Sequence, residues 1–436
     1  MTRSLPPNFV EAGSYLSQLE GAAPGLLGGK STVVIIGAGY TGLSTAYHLA
    51  KTAQENAQNI DIVVLEAGKI GSGASGKSAG HVCPGFQQHD EAKVVGAFST
   101  PERGQAIVDR FNNGPALVCE IIKDNNIDCD LRQGYVVIGA DGSRTRYDED
   151  LFAIEPYPYI SGLADAARKL GVRILEDTPV KNIVDYGSTV EVQTSRGTFS
   201  AENVVCAGGH RMAETIPFLA PLRQKTMELL VTTIVTDPLP PAVLNKIMPE
   251  AKGERLPFAT DVFDVSYGTV DRDGRIVFGA KAGAFDTDPE AIAARLFKIF
   301  PGLKEAYRTE TGNDLTYKPY VHNEPLNFTA ELLPNVGRLG QEGRVRYAHG
   351  LGGEGIAVGT MLGKVISEEV NGAREHNPAL QQHFNDLACV KHMRLPSNAF
   401  MRKAVAACGL GLMTVAGLAQ ETVAHWKSKI GSTPQP

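Results

Sequence analysis

The stretch "VVIIGAGYTGLSTAYHLA", Val33 to Ala50, decides the fold. Four apolar residues run into Gly37, Gly39 and Gly42, spaced G-x-G-x-x-G, and then into a helical pattern. The first glycine permits a tight turn, the second lets backbone approach a pyrophosphate, and the third lets helix and strand pack closely. Phosphates then sit at the helix N-terminus, where free N–H groups and the dipole favour anions. "NIDIVVLEAG" comes next as a second strand closed by Glu66, a carboxylate suited to ribose hydroxyls. Strand, helix, strand and terminal acid together predict a β-α-β unit that binds a dinucleotide. The unit alone does not choose between NAD and FAD.

Composition sets the frame. The 436 residues are 43% hydrophobic and 21% charged, an ordinary globular balance that can bury a sizeable core. At roughly 100–200 residues per domain, two or three domains are expected. A formal net charge of −6 with no long basic run argues against nucleic acid as a partner. Cys83, Cys119, Cys129, Cys206, Cys389 and Cys408 form no C-x-x-C pair, so no metal site is expected, and their scatter suits free thiols. The N-terminal stretch has no apolar run fit for a signal peptide, and a cytoplasmic protein is expected. One stretch cuts across this reading. "AVAACGLGLMTVAGLA", Ala404 to Ala419, is uncharged and apolar but shorter than the ~20 residues of a membrane span. A buried helix is the first reading, and contact with a membrane surface the second.

Two further stretches carry chemistry. Gly71 to Gly85, "GSGASGKSAGHVCPG", is a glycine- and serine-rich loop directly after the acid. In "YAHGLGGEGIAVGTMLGK", Gly352, Gly353 and Gly355 make a turn before a helix. A helix N-terminus aimed at an isoalloxazine ring stabilises negative charge at its N1–C2=O edge on reduction. Elsewhere, "PERGQAIVDRFNNGPALVCEIIKDNNI" reads as helix, "LRQGYVVIGA" as strand, and "KTMELLVTTIV", "VSYGTV" and "GRIVFGAKAG" as antiparallel strands.

The order of these segments resembles the D-amino-acid oxidase superfamily of FAD-dependent oxidoreductases, and within it the gamma-glutamylputrescine oxidase group. The resemblance rests on "GAGYTGLSTAYHL", "LEAGKIGSGASGKSAGHV", "NNIDCDLRQGYVVI", "VVCAGG", "LPNVGRL" and "YAHGLGGEGIAVGTMLGKVISEEVNG". It implies an α/β fold with an FAD-binding Rossmann-like domain and a second, mixed-sheet substrate domain. The expected boundaries are an N-terminal arm over 1–30, an FAD-binding domain over 31–100, 155–215 and 330–390, a substrate domain over 101–154 and 216–329, and a tail over 391–436. It also implies non-covalent FAD. Gly37, Gly39, Tyr40, Thr41, Gly42, Glu66 and Ala67 would hold the adenine end. Ser75, Gly76, Lys77, Ser78, Gly80 and His81 would line the flavin. Gly352, Gly353, Glu354, Gly355 and Ile356 would meet its pyrimidine edge, and Val180, Ala207 and Gly208 complete the cofactor set. No cysteine lies between Cys206 and Cys389, where some relatives attach flavin, and Lys77 stands near where others use histidine.

The sequence departs from the family where substrate would sit. "TYKPYVHN" replaces a Trp-Gly stretch, Gly268 stands where an arginine is frequent, and Glu354 replaces a histidine. The expected reaction is oxidation of a small amine or amino acid by hydride transfer to flavin N5, giving an imine that hydrolyses, with oxygen as acceptor. Lys281, Tyr267, Tyr317 and His322 are the catalytic candidates, with Tyr320 as a further wall residue. Two alternatives stay open: a dehydrogenase that passes electrons to a quinone or protein, and a flavoprotein that works on or with a partner protein.

Overall fold

The computed structural model describes residues 28–86, 91–139, 142–260, 266–280, 288–321, 325–353, 355–398, 401–402 and 405. Lys281, His322, Glu354 and residues 1–27 of the expected arm lie outside the described residues, as does the run 404–419 apart from Val405; the last residues of that arm, from Gly29, belong to the first strand.

Two sheets organise the chain. The first is ordered Asn335–Leu339, Val345–His349, Thr198–Cys206, Gly29–Ile36, Ile62–Leu65 and Arg173–Leu175, with the hairpin Val180–Asp185/Val190–Thr194 joined to Thr198–Cys206. Gly29–Ile36 is parallel to both neighbours, and Val345–His349 is parallel to Thr198–Cys206. Val34, Ile36, Val63 and Leu65 face one core and Val33, Ile35, Ile62 and Val64 another. Strands covered on both faces read as continuous apolar runs, which is why "VVII" and "IVVL" signal so clearly.

The second sheet is ordered Tyr317–Val321, Thr232–Thr236, Ile276–Ala280, Ser266–Val270, Phe258–Thr260, Arg132–Ile138, Arg144–Ala153 and His81–Val82. One face buries Val136, Ile234, Phe258, Val270 and Phe278 against helices Pro241–Ile247, Pro289–Ile299 and Leu303–Thr311. The short strand His81–Val82, at the end of the glycine-rich loop, pairs with Ala153 and Phe152 of this sheet. The loop therefore crosses from one sheet to the other.

The architecture is the α/β arrangement the sequence predicts. Two elements differ: "KTMELLVTTIV" is two strands, Met227–Leu229 and Thr232–Thr236, in different sheets, and one helix is divided. The expected helix after residue 100 is two helices, Pro101–Asn112 and Gly114–Asn125. Pro115 stands in the first turn of the second, where its missing N–H costs nothing; inside one long helix it would remove a bond and clash with the preceding turn.

Helices Tyr40–Glu55 and Ala357–Arg374 lie side by side, because glycines remove the side chains between them. A Cβ at Gly363 would stand 2.5 Å from Ser44 Cβ, and one at Gly359 3.2 Å from Thr41 Oγ1. Ser44 Oγ donates to the Thr360 carbonyl at 2.6 Å across the contact. This packing brings the N-termini of both helices to the same edge of the first sheet.

Candidate cofactor and active site

Three parallel strands end at that edge. Gly37 comes after Ile36, Ala207 and Gly208 after Cys206, and Gly350 after His349. Gly37 has φ +102°, and a Cβ there would lie 2.6 Å from the Ala207 carbonyl oxygen. A Cβ on Gly42 would lie 2.0 Å from the Gly37 carbonyl oxygen. Gly39 is different: its φ −82°, ψ −178° suits any residue, and an added Cβ meets only Ser75 Oγ at 3.1 Å. Gly37 and Gly42 thus fix the turn, and Gly39 keeps the space in front of the helix clear.

Helix Tyr40–Glu55 starts with no side-chain cap and no acidic residue in its first turn. Helix Ala357–Arg374 starts the same way. Among the described residues the Thr41 and Gly42 N–H groups of the first helix and the Ala357 and Val358 N–H groups of the second have no side-chain cap, an arrangement that suits an anion or a carbonyl-like edge. Thr41 Oγ1 is buried and has no partner among the described residues. Glu66 sits beside the turn, where Oε2 accepts from the Ala38 N–H at 2.8 Å and Oε1 from the Gly68 N–H at 2.9 Å. Each oxygen keeps a lone pair for a hydroxyl. An open glycine cradle, an uncapped helix, an orphaned hydroxyl and a fixed carboxylate fit the pyrophosphate and ribose of a dinucleotide. Ala67 is exposed next to Glu66, whereas Val180 turns its side chain into the core on the far face of the sheet.

The glycine-rich loop connects this edge to the second sheet. The Tyr40 N–H points at Ser75 Oγ at 3.4 Å, and the Tyr40 hydroxyl donates to the Ser75 carbonyl. Burial pushes the Tyr40 phenol well above its usual range, so it remains a donor. Gly76 packs on Gly71, and Gly80, with φ +81°, packs on the Ile154 carbonyl; no side chain fits at either position. Lys77 and Ser78 lie between them, half-buried and exposed. At the loop's far end, His81 Nε2 lies 3.0 Å from the Gly268 carbonyl oxygen and Nδ1 2.8 Å from the Tyr135 hydroxyl. A carbonyl only accepts, so Nε2 carries the proton and Nδ1 accepts from Tyr135. Burial pushes the His81 imidazole down to about 4, and it is neutral at pH ~7.

Tyr267 completes this group, its ring edge-on to His81 at 5.8 Å. It has room because residue 279 is glycine; a Cβ there would lie 2.8 Å from the ring. Burial pushes its hydroxyl up to about 12. Gly268 faces the other way, its missing Cβ directed at the Phe258 ring 2.5 Å off. Strand alternation thus turns position 268 into the helix-covered core. Tyr317 is not brought to this group; it packs against Phe297 on that same covered face. Tyr320 is in register with Thr233, which pairs with Gly279. Sequence reasoning misses Tyr135. Its one signal is alternation, which places it on the face of Val137, Ala259 and Tyr267.

The second glycine turn closes the edge. Gly350 and Gly352 have φ +74° and +64°, Leu351 bridges to Phe328, and the Gly352 N–H donates to the Asn327 carbonyl at 2.9 Å. Among the described residues nothing stands within 4 Å of an added Cβ at Gly355, and Ile356 is the N-cap of helix Ala357–Arg374. His349, just before the turn, is 2% exposed, and its Nε2 lies 2.8 Å from the Asn335 amide. Burial pushes its imidazole down to about 3 from an ordinary 6.5.

Two of these residues give measurable expectations. Glu66→Ala is expected to weaken FAD binding by roughly tenfold or more, from about 1.5–3 kcal/mol of lost charge-assisted bonding; reconstitution of stripped protein, monitored by flavin fluorescence, measures it. His349 binds its proton more weakly folded than unfolded, so its stabilisation is complete above about pH 6.5 and is lost as pH falls towards about 3. His349→Gln is expected to make stability less steep in that window by up to ~1.4 kcal/mol per pH unit; urea midpoints at about pH 7 and about pH 5 test the sign.

Fold and site define a two-sheet α/β protein with a dinucleotide-type glycine cradle, and comparison with known proteins gives its class. The family model described as FAD dependent oxidoreductase (DAO) matches residues 32–153 and 145–369, and the chain belongs to that family. It is 26% identical over 423 residues to gamma-glutamylputrescine oxidoreductase of Escherichia coli strain K12, covering 86% of this chain and 90% of that protein. It is 23% identical over 397 residues to glycine oxidase of Bacillus licheniformis, covering 78% and 92%. Among solved structures it resembles L-proline dehydrogenase from P. horikoshii, with a TM-score of 0.62 at 18% identity over 80% of this chain and 95% of that one. Glycine oxidase from Geobacillus kaustophilus gives a TM-score of 0.60 at 19% identity, over 78% and 95%.

Proposed function

We propose that the protein oxidises the C–N bond of a small amine or amino acid, using FAD held without a covalent link. The observation that carries this is the loop 71–85, which touches the glycine cradle through Ser75 and the second sheet through His81. When bound, FAD supplies the two-electron acceptor for the C–H beside nitrogen. Gly39 and the first turn of Tyr40–Glu55 hold the pyrophosphate, and Glu66 holds the ribose. The N-terminus of helix Ala357–Arg374, just after the second glycine turn, would meet the flavin edge that gains charge. His81, Tyr135 and Tyr267 form one wall of the substrate space.

That wall orients substrate and takes no proton. His81 has Nε2–H committed to Gly268 and Nδ1 to Tyr135, and Tyr267 keeps its proton up to about 12. The amine must therefore reach its neutral form by desolvation on binding beside His81 and Tyr267, whose own titrating groups burial holds neutral. The relatives named above include a dehydrogenase as well as oxidases, and this supports a second reading in which a quinone or protein takes the electrons. Hydrogen peroxide released during turnover of an amine panel in air supports oxygen as acceptor. Turnover only with an added quinone analogue supports the second reading, and neither, across primary, secondary and N-acylated amines, would overturn the proposal.

A further inference from the structure

We propose that residues 390–395 form a strap that sets the second glycine turn, with Glu331 and His392 as positioning residues for the flavin edge; the inference rests on the FAD placement given above. The strap is bonded to two segments. On one side the Lys225 ammonium donates to the His392 carbonyl at 2.8 Å, the Leu395 N–H to the Gln224 carbonyl at 2.7 Å, and Arg394 Nε to Gln224 Oε1 at 2.5 Å. On the other, one carboxylate takes two bonds: Glu331 Oε2 lies 2.9 Å from His392 Nδ1, and Oε1 accepts from the Met393 N–H at 2.9 Å. An ionised carboxylate only accepts, so His392 Nδ1 carries the proton. The His392 side chain is 3% exposed, and Val390 and Leu395 are buried.

The two segments so clasped are the ones that hold the second glycine turn. Thr226, next to Lys225, and Thr329, just before Glu331, are both buried. A Cβ on Gly350 would lie 3.2 Å and 2.8 Å from their Cγ2 atoms, so both methyl groups pack against the turn. Strand Met227–Leu229 pairs with Leu326–Phe328, whose Phe328 bridges to Leu351 and whose Asn327 carbonyl accepts the Gly352 N–H. Leu332 has φ +56°, a conformation leucine rarely takes, inside a turn where Thr329 Oγ1 donates to the Leu333 carbonyl at 2.7 Å. Such a backbone persists where its surroundings hold it, and the neighbouring Glu331 carboxylate is tied to the strap. His392 also lies close enough to His349, the residue before Gly350, to oppose its protonation.

Opening the strap therefore releases Thr226 and Thr329 together, and with them the turn that leads into helix Ala357–Arg374. The favourable field of a helix N-terminus falls off within its first turn, so a small displacement changes how far it stabilises a flavin edge that gains charge. Loss of the clasp makes the reduced flavin less stable relative to the oxidised one. Glu331 and His392 act through the turn and not by touching the flavin.

The test compares the FAD-loaded full chain with Glu331→Ala, Glu331→Gln and Lys225→Met. Trypsin is expected to cut Glu331→Ala after Lys391 or Arg394, both exposed, faster than the parent protein. Its reduced flavin is expected to be held roughly tenfold less tightly relative to the oxidised form, a fall of about 30 mV in the two-electron potential. Glu331→Gln keeps an oxygen for the Met393 N–H and is expected to restore most of the potential; Lys225→Met is expected to shift it the same way by less. Potentials are read against a reducing dye without any amine, so failure of amine oxidation leaves this test intact. A Glu331→Ala strap that opens to trypsin while the potential stays unchanged would overturn the proposal, as would straps in both Glu331→Ala and Lys225→Met that resist trypsin like the parent. Should Glu331→Ala precipitate or shed its flavin, Lys225→Met decides: a lowered potential supports the strap and an unchanged one overturns it.

Discussion

Gly39→Val is expected to give a folded, colourless protein. The backbone at Gly39 is extended, a conformation valine adopts without strain, and the first added atom meets only the rotatable hydroxyl of Ser75 at 3.1 Å. The fold therefore tolerates the change. The space in front of the helix does not, because on the proposed cofactor placement the branched side chain would occupy the place where a pyrophosphate approaches backbone. FAD retention is expected to fall by at least a hundredfold, corresponding to about 3 kcal/mol or more. Far-UV circular dichroism with a flavin absorbance scan on the same sample measures both halves. Gly42→Val is the contrasting control. Its Cβ would stand 2.0 Å from the Gly37 carbonyl oxygen, so it is expected to unfold the unit rather than empty it.

The second large effect lies away from the site. Glu369, 0% exposed on helix Ala357–Arg374, accepts from Arg346 Nε at 2.6 Å and from Arg338 Nη2 at 2.7 Å. Arg346 also donates to Asn203 Oδ1 at 2.6 Å, and Arg338 to Asn385 Oδ1 at 2.9 Å. One carboxylate thus ties strands Asn335–Leu339, Val345–His349 and Thr198–Cys206 and helix Gln382–Ala388 to the helix behind the second glycine turn. Glu369→Ala leaves two guanidiniums without their anion, one of them 4% exposed. The expected cost is about 3–5 kcal/mol, read from the urea midpoint. Replacing Glu369 and Arg346 together by apolar residues is expected to cost less than removing Glu369 alone, because only the more exposed Arg338 is then left without its carboxylate.

The sequence carries the local parts of this structure well. Val33–Ile36 and Ile62–Leu65 are apolar on both faces, the three glycines have separate steric duties, and Glu66 ends its strand, so the β-α-β unit is readable from residues that are near neighbours. What fails is what depends on distant partners. The periodicity of residues 101–125 is helical throughout, and only the short run Asn113-Gly114-Pro115 marks the break. Tyr317 reads as a wall residue from its place in the chain, but strand parity sends it to Phe297 on the covered face. Tyr135 and His81 come together only because the loop 71–85 ends as a strand of the second sheet. Nothing local to Glu369 announces Arg338 and Arg346, 31 and 23 residues away in sequence.

The most direct test is an anaerobic titration of the purified, yellow protein with an amine panel, monitoring flavin absorbance. Stoichiometric bleaching by one class of amine, with the corresponding aldehyde or keto product formed, is the expected result. A protein that binds FAD but is bleached by no amine, although dithionite reduces it, would contradict C–N oxidation; one that neither carries nor takes up FAD would contradict the cofactor site itself.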